Sequence, residues 1–148
     1  QILCVVDLSE SSARVLEVAA SIAGSCGAHL TVLCPYRLID VPERGDTRSL
    51  RSRLETRIRD SFASLRKQIP ALANLPCEFV AEIGFMSDRI NAFVRQHPVD
   101  LVVLAQQSNG TSDFTTFDLQ NLISHAQLPF VIVPAMITKN VVVDSASG

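Results

Sequence analysis

Long apolar runs are missing from this sequence: none approaches the roughly 20 residues that a helix needs to cross a bilayer. A strong charge of either sign is missing too. With 13 basic and 15 acidic residues the formal net charge is −2, which makes no global electrostatic case for nucleic acid or an anionic membrane. The four cysteines Cys4, Cys26, Cys34 and Cys77 form no C-x-x-C pair and no cluster of thiolates, so neither a metal site nor a redox motif is indicated. Three of them sit inside apolar runs and read as small buried hydrophobes, and the cytoplasm is the expected compartment. No Ser-His-Asp or Cys-His set and no paired carboxylates in a recognisable catalytic context can be argued from the spacings, so the expectation is a protein that is not an enzyme. The chain opens on Gln1 rather than Met, which reads as a trimmed N-terminus, and no signal peptide is visible.

What is present is an alternation of short apolar runs with amphipathic stretches. The chain is long enough to bury one core without disulfides. Ile2 to Val6 is continuously apolar and ends in Asp7, as a parallel strand covered on both faces should be. Ser9 is placed to cap a helix whose apolar stripe is Val15, Val18, Ala19, Ile22 and Ala23, with Gly24 and Gly27 as stop signals. A second strand, Leu30 to Cys34, is expected to stop at Pro35. Residues 37 to 48 read as a loop, followed from Ser49 to Ile69 by a helix with Leu50, Leu54, Ile58, Phe62 and Leu65 on one face. Pro70 and Pro76 bracket a connector. Cys77 to Ile83 is a third strand whose partial alternation suggests a more exposed position. Ser87 is placed to cap a helix carrying Ile90, Phe93 and Val94, closed by His97-Pro98. Leu101 to Ala105 is a fourth strand, residues 106 to 113 a polar loop, and a last helix carries Leu119, Leu122, Ile123 and Ala126. Phe130 to Val133 is the fifth strand, stopped by Pro134.

Strict alternation of strands and helices with right-handed crossovers demands an α/β fold: a parallel sheet with helices on both faces. Ligands bind such sheets beyond the carboxyl ends of the strands, where the strand order reverses. In this chain those ends are Asp7, Pro35 and Ala105.

The opening Ile2-Leu3-Cys4-Val5-Val6-Asp7-Leu8-Ser9-Glu10-Ser11 resembles that of the universal stress protein family, as does the second strand, Ala28-His29-Leu30-Thr31-Val32-Leu33. Asp100-Leu101-Val102-Val103-Leu104 is similar to the family's fourth strand, and Ser124-His125-Ala126 through Pro129-Phe130-Val131-Ile132-Val133-Pro134 to its closing helix and strand. The resemblance spans residues 1 to 135. It implies a flavodoxin-like or adenine-nucleotide-hydrolase-like sandwich on a five-stranded parallel sheet of order 3-2-1-4-5, and a homodimer formed through the C-terminal strands.

The family's ATP-binding branch carries G-x2-G-x9-G-[ST] after the fourth strand, glycines that let backbone N–H groups approach phosphates near a helix N-terminus. Here the first glycine position is Ala105 and the second Ser108. The third falls on Asp118 by counting or on Thr116 by alignment of the last helix, and Gly110 lies out of register. Asp118 would place a carboxylate near the phosphate position, and Asp113 and Asp118 read equally as ordinary first-turn residues. The resemblance therefore implies a branch without ATP as a cofactor, with ATP bound through a rearranged loop as the alternative. The candidate crevice consists of Asp7, Pro35, Ala105, Gln107, Ser108, Gly110 and Thr116. Asp7 matches the family aspartate that contacts base and ribose, or else it caps the first helix.

Eight of the basic residues lie between positions 44 and 67: Arg44, Arg48, Arg51, Arg53, Arg57, Arg59, Arg66 and Lys67. Interleaved Glu55 and Asp60, and the absence of aromatics spaced for stacking, favour a solvated helix face over an anion or RNA surface. His29, His97 and His125 read as structural. Residues 136 to 148 form an extension in which Val142-Val143-Asp144-Ser145 repeats the grammar of Val5-Val6-Asp7-Leu8-Ser9. They read as the first strand of a second tandem domain, as an added edge strand, or as a linker. The expected function is a non-enzymatic stress-response or regulatory module acting through dimerisation and protein contacts. The rivals are a nucleotide switch or weak ATP hydrolase built on Asp7 and the 106–118 loop, and a cytosolic regulatory domain of a larger protein.

Overall fold

Runs of Val, Leu and Ile too short for helices become five strands, and the stretches between them become helices that cover both faces of the sheet. The structure, a computed structural model, describes residues 1–38, 47–106, 120, 121, 124 and 127–134. In chain order the elements are β1 (Ile2–Val5), α1 (Ser12–Cys26), β2 (Leu30–Tyr36), α2 (Thr47–Lys67), a 3-10 turn at Pro70–Leu72, β3 (Cys77–Ile83), α3 (Met86–Gln96), β4 (Leu101–Ala105) and β5 (Phe130–Val133). Gln120, Asn121 and Ser124 are helical, while Leu119, Leu122, Ile123, His125 and Ala126 of the expected last helix lie outside the described residues, as do residues 136 to 148.

All pairings are parallel and the order is β3-β2-β1-β4-β5, as expected. Val5 stands level with Leu33 on one side and Leu104 on the other, so the three central strands end together. Period-two alternation splits the core into two layers. Ile2, Cys4, Val6, Val32, Cys34 and Tyr36 face α1 and α2, with Ile58 and Phe62 from α2 closing that layer. Leu3, Val5, Leu33, Val102 and Leu104 face α3, which contributes Ile90 and Phe93. Helices α1 and α2 carry the chain outward from β1 to β3. Helix α3 returns it across the opposite face to β4, which a right-handed crossover requires. The strand order therefore reverses between β1 and β4.

The partial alternation of β3 reflects its place at the sheet edge, where most of its side chains are half-buried. Several element ends differ from expectation. Strand β2 runs through Pro35 to Tyr36 instead of stopping at the proline. The reason is directional: the Leu33 carbonyl accepts from Val6 N–H, so residues 33 and 35 turn their backbone groups toward β1. By position 35 β1 has already ended, and the missing proline N–H removes no ladder bond. Helix α1 passes through Gly24 and stops at Gly27, whose φ of 64° supplies the left-handed C-cap. The buried stripe of α1 is Val15, Leu16, Ala19, Ala20 and Ala23, and Val18 and Ile22 are only half-buried, so small alanines set a close approach to the sheet. Ser87 is the second residue of α3, not its cap. Phe85 precedes the helix, and Gly84 at φ 140° makes the turn from β3.

Candidate functional site

Beyond Val5 the chain leaves the sheet as a short turn. Val6 N–H still reaches the Leu33 carbonyl at 3.0 Å, and Leu8 takes φ 62°, a left-handed conformation uncommon for leucine. One carboxylate oxygen holds this turn. Asp7 Oδ1 accepts the backbone N–H of Ser9 at 2.9 Å and the hydroxyl of Ser12 at 3.3 Å. Ser12 N–H in turn donates to the Ser9 carbonyl at 3.0 Å. These hydrogen bonds make Asp7 an anchor of the loop before α1, and the expected cap needs a correction. Ser9 does not cap α1: the helix begins at Ser12 with Ser11 at the N-cap position, and that residue makes no capping bond through its side chain. Asp7 instead ties down the turn that leads into α1, through Ser9 N–H before the helix and the side-chain hydroxyl of its first residue, Ser12.

Val5 pairs with Leu33 and Leu104, so Asp7, Pro35 and Ala105 all lie at the carboxyl end of the sheet. The fold therefore brings together Asp7, Pro35 and Ala105 of the expected crevice. Asp7 is exposed, and Pro35 and Ala105 are half-buried. Gln106 N–H continues the β4 ladder by donating to the Val133 carbonyl at 2.7 Å. Gln107, Ser108, Gly110 and Thr116 lie outside the described residues, as do Asp113 and Asp118. The Cys34 thiol next to this end is pushed up to about 12, first by burial and then by the negative charge of Asp7. Cys4, wholly buried in the centre of the sheet, is raised by burial further still. Both are held as neutral thiols, the state of a packing residue rather than of a nucleophile. Cys77 is half-buried and Cys26 is exposed at the end of α1.

A second cluster at the same end was not legible in the sequence. The Tyr36 hydroxyl donates to Glu55 Oε1 on α2, and Arg51 Nε donates to the same oxygen at 3.2 Å. Burial raises the phenol's pKa, with Glu55 reinforcing the shift. The Glu55 carboxyl is lowered by the tyrosine hydroxyl first and by Arg51 second. The i,i+4 spacing of Arg51 and Glu55 is readable along the helix, but the arrival of Tyr36 from β2 depends on the crossover. Arg48, Arg51, Arg53, Arg57, Arg59 and Lys67 are all exposed, as a solvated helix face should be, and Arg44 lies outside the described residues. His97 keeps its structural role, with Nδ1 3.2 Å from the Phe93 carbonyl and its ring stacked on Phe93 at 4.1 Å.

Among the described residues no group of three or more His, Cys, Asp or Glu is placed to hold a metal ion. No described helix is long and apolar enough to cross a membrane. Among the described residues the arrangement offers the Asp7 carboxylate as a hydrogen-bond acceptor and the Cys34 thiol, held neutral, at the sheet end.

Comparison with known proteins places this geometry. No curated protein matches the sequence. Among solved structures, the chain is similar to the universal stress protein UspA from Lactobacillus plantarum at 20% identity, covering 89% of this chain and 95% of that one, with a TM-score of 0.66. It is similar to a universal stress family protein from Burkholderia pseudomallei at 19% identity, over 90% and 96% of the two chains, with a TM-score of 0.61. A third, from Archaeoglobus fulgidus and solved in complex with dAMP, shares 18% identity over 89% and 95%, with a TM-score of 0.58. These likenesses concern the fold. The family model for universal stress proteins matches residues 1–134, and the chain belongs to the universal stress protein family.

Proposed function

We propose that this chain is a non-enzymatic stress-response module that works through pairing with a second copy and through protein contacts in the cytoplasm, without taking up ATP by the family's phosphate loop. The observation that carries the reading is the engagement of Asp7. The oxygen nearest the turn already accepts from Ser9 N–H and from the Ser12 hydroxyl, so the carboxylate serves the turn that leads into α1. At the adjoining strand end the family's first glycine position is taken by Ala105, a residue with a Cβ where the ATP-binding branch has none. Family membership supports the stress-response assignment, and the edge position of β5 supports pairing there.

Calorimetric titration of Mg-ATP into the nucleotide-stripped chain tests the reading. The expected result is no saturable heat at millimolar ATP, and saturable micromolar binding overturns it. A second reading is favoured by the dAMP complex of the similar Archaeoglobus protein: an adenine-nucleotide switch or weak hydrolase using Asp7 and a rearranged 106–118 loop around Gly110. Bound nucleotide on the purified chain is its signature. A cytosolic regulatory domain within a larger protein is a third reading.

A further inference from the structure

The sheet ends on one side at β5 and on the other at β3, which pairs only with β2. Gly84 N–H donates to the Tyr36 carbonyl and the Pro76 carbonyl accepts from Leu30 N–H, so the even-numbered residues turn their backbone groups toward β2. Cys77, Phe79, Ala81 and Ile83 therefore point theirs outward, where no described strand lies to take them. The side chains of these four pack toward α1 and α2. Arginines line the edge on that face. The Arg59 guanidinium stands 5.9 Å from the Phe79 ring centroid. Arg66, about two turns along α2, lies near Cys77: burial raises the thiol pKa, and the Arg66 charge opposes the rise. Neither arginine makes an ion pair among the described residues, and Glu55, four residues before Arg59, is already held by Tyr36 and Arg51. The opposite face of the edge, toward α3, is acidic. There Glu78 is exposed and Glu82 stands 3.7 Å from Arg89.

We propose that the β3 edge takes an extended acidic segment of a partner protein as an added strand, with its carboxylates on the α2 face against Arg59 and Arg66. This rests on the protein-contact reading above and names the partner's chemistry. The outward N–H and C=O groups pair with any extended backbone, and the arginines select one whose alternate side chains are acidic. The same charges disfavour a second copy. Two β3 strands paired antiparallel keep α2 of both copies on one sheet face, which sets arginine beside arginine there and glutamate beside glutamate below. A nucleic acid is disfavoured because the positive charge is local. Helix α2 carries seven basic residues against two acidic ones in a chain of net charge −2, so a long polyanion meets repulsion beyond the helix.

Amide hydrogen exchange of the free chain is the first test. The Phe79, Ala81 and Ile83 amides should exchange faster than those of Val80 and Glu82, and equal protection would mean a covered edge and overturn the proposal. An NMR titration then adds a short acetylated peptide alternating glutamate and threonine, with its lysine–threonine counterpart and a short oligothymidylate in parallel. Saturable shifts centred on residues 77 to 83 are expected with the acidic peptide, weakening as salt is added. Replacing both arginines, Arg59→Gln with Arg66→Gln, should weaken binding about three- to tenfold. Ala81→Pro removes an outward donor without breaking the ladder to β2 and should weaken it at least as much. Absence of saturable shifts, equal or tighter binding of the lysine peptide or the oligonucleotide, or undiminished binding by either folded variant would each overturn the assignment. The exchange pattern and the arginine variant decide the matter even if Ala81→Pro fails to fold. Neither readout involves ATP, so failure here is distinct from failure of the ATP titration.

Discussion

Arg89 packs its stem so closely over Gly84 that a Cβ built on the glycine would stand 2.9 Å from the arginine Nε. The glycine itself sits at φ 140°, where residues with a side chain are strained. Gly84→Ala should therefore cost about 1–3 kcal/mol of stability. It should also displace the Arg89 guanidinium from Glu82. Urea unfolding of the two chains measures the first effect, and the Arg89 Nε–H resonance reports the second.

Asp7→Ala removes the acceptor for Ser9 N–H and the Ser12 hydroxyl. Because Asp7 is exposed, water replaces part of the loss, and a cost of about 1 kcal/mol is expected for the lost hydrogen bonds. Asp7→Asn keeps a side-chain oxygen and should recover most of it. Chemical denaturation at neutral pH checks both, and a neutral Asp7→Ala would remove the turn-holding role.

The Cys34 thiol titrates near its ordinary value of 9.0 in the unfolded chain and is pushed up to about 12 in the folded one. Below pH 9 it is protonated in both states and its contribution to stability is complete. Between about 9 and 12 the unfolded chain releases a proton that the folded chain keeps, so stability falls as pH rises. The slope from this thiol is about 1.4 kcal/mol per pH unit. Cys34→Ala should flatten the decline between pH 9 and 10.5 by roughly that slope, while Cys4 and Tyr36, both raised, preserve part of it. Denaturation midpoints at stepped pH give the comparison.

Phe62 is 5% exposed and stacks on Phe79 with ring centroids 4.2 Å apart. Phe62→Ala should cost about 3–5 kcal/mol through lost burial and the cavity left between α2 and β3. Phe85, 47% exposed, lies under the Arg37 guanidinium at 4.6 Å and buries far less. Phe85→Ala should change stability by no more than about 1 kcal/mol. Thermal unfolding of the pair separates a core ring from a surface ring of the same type.

The apolar runs, their spacing and the amphipathic stripes were enough to specify a parallel α/β sheet, because burial on both faces leaves continuous hydrophobic strands and only helices can connect them. The same one-dimensional signals marked Asp7, Pro35 and Ala105 as strand ends. They could not say that Pro35 lies inside β2, since that depends on where the neighbouring strand stops and which way the Leu33 carbonyl points. Nor could they say that Asp7 ties down the turn that leads into α1, because Leu8 at φ 62° sets that turn. The meetings of Tyr36 with Glu55, and of Arg89 with Glu82 and Gly84, join different elements. Local pattern determines which segments become strands and helices. Which side chains meet across them is decided by register, crossover hand and close packing, which exist only in the folded chain.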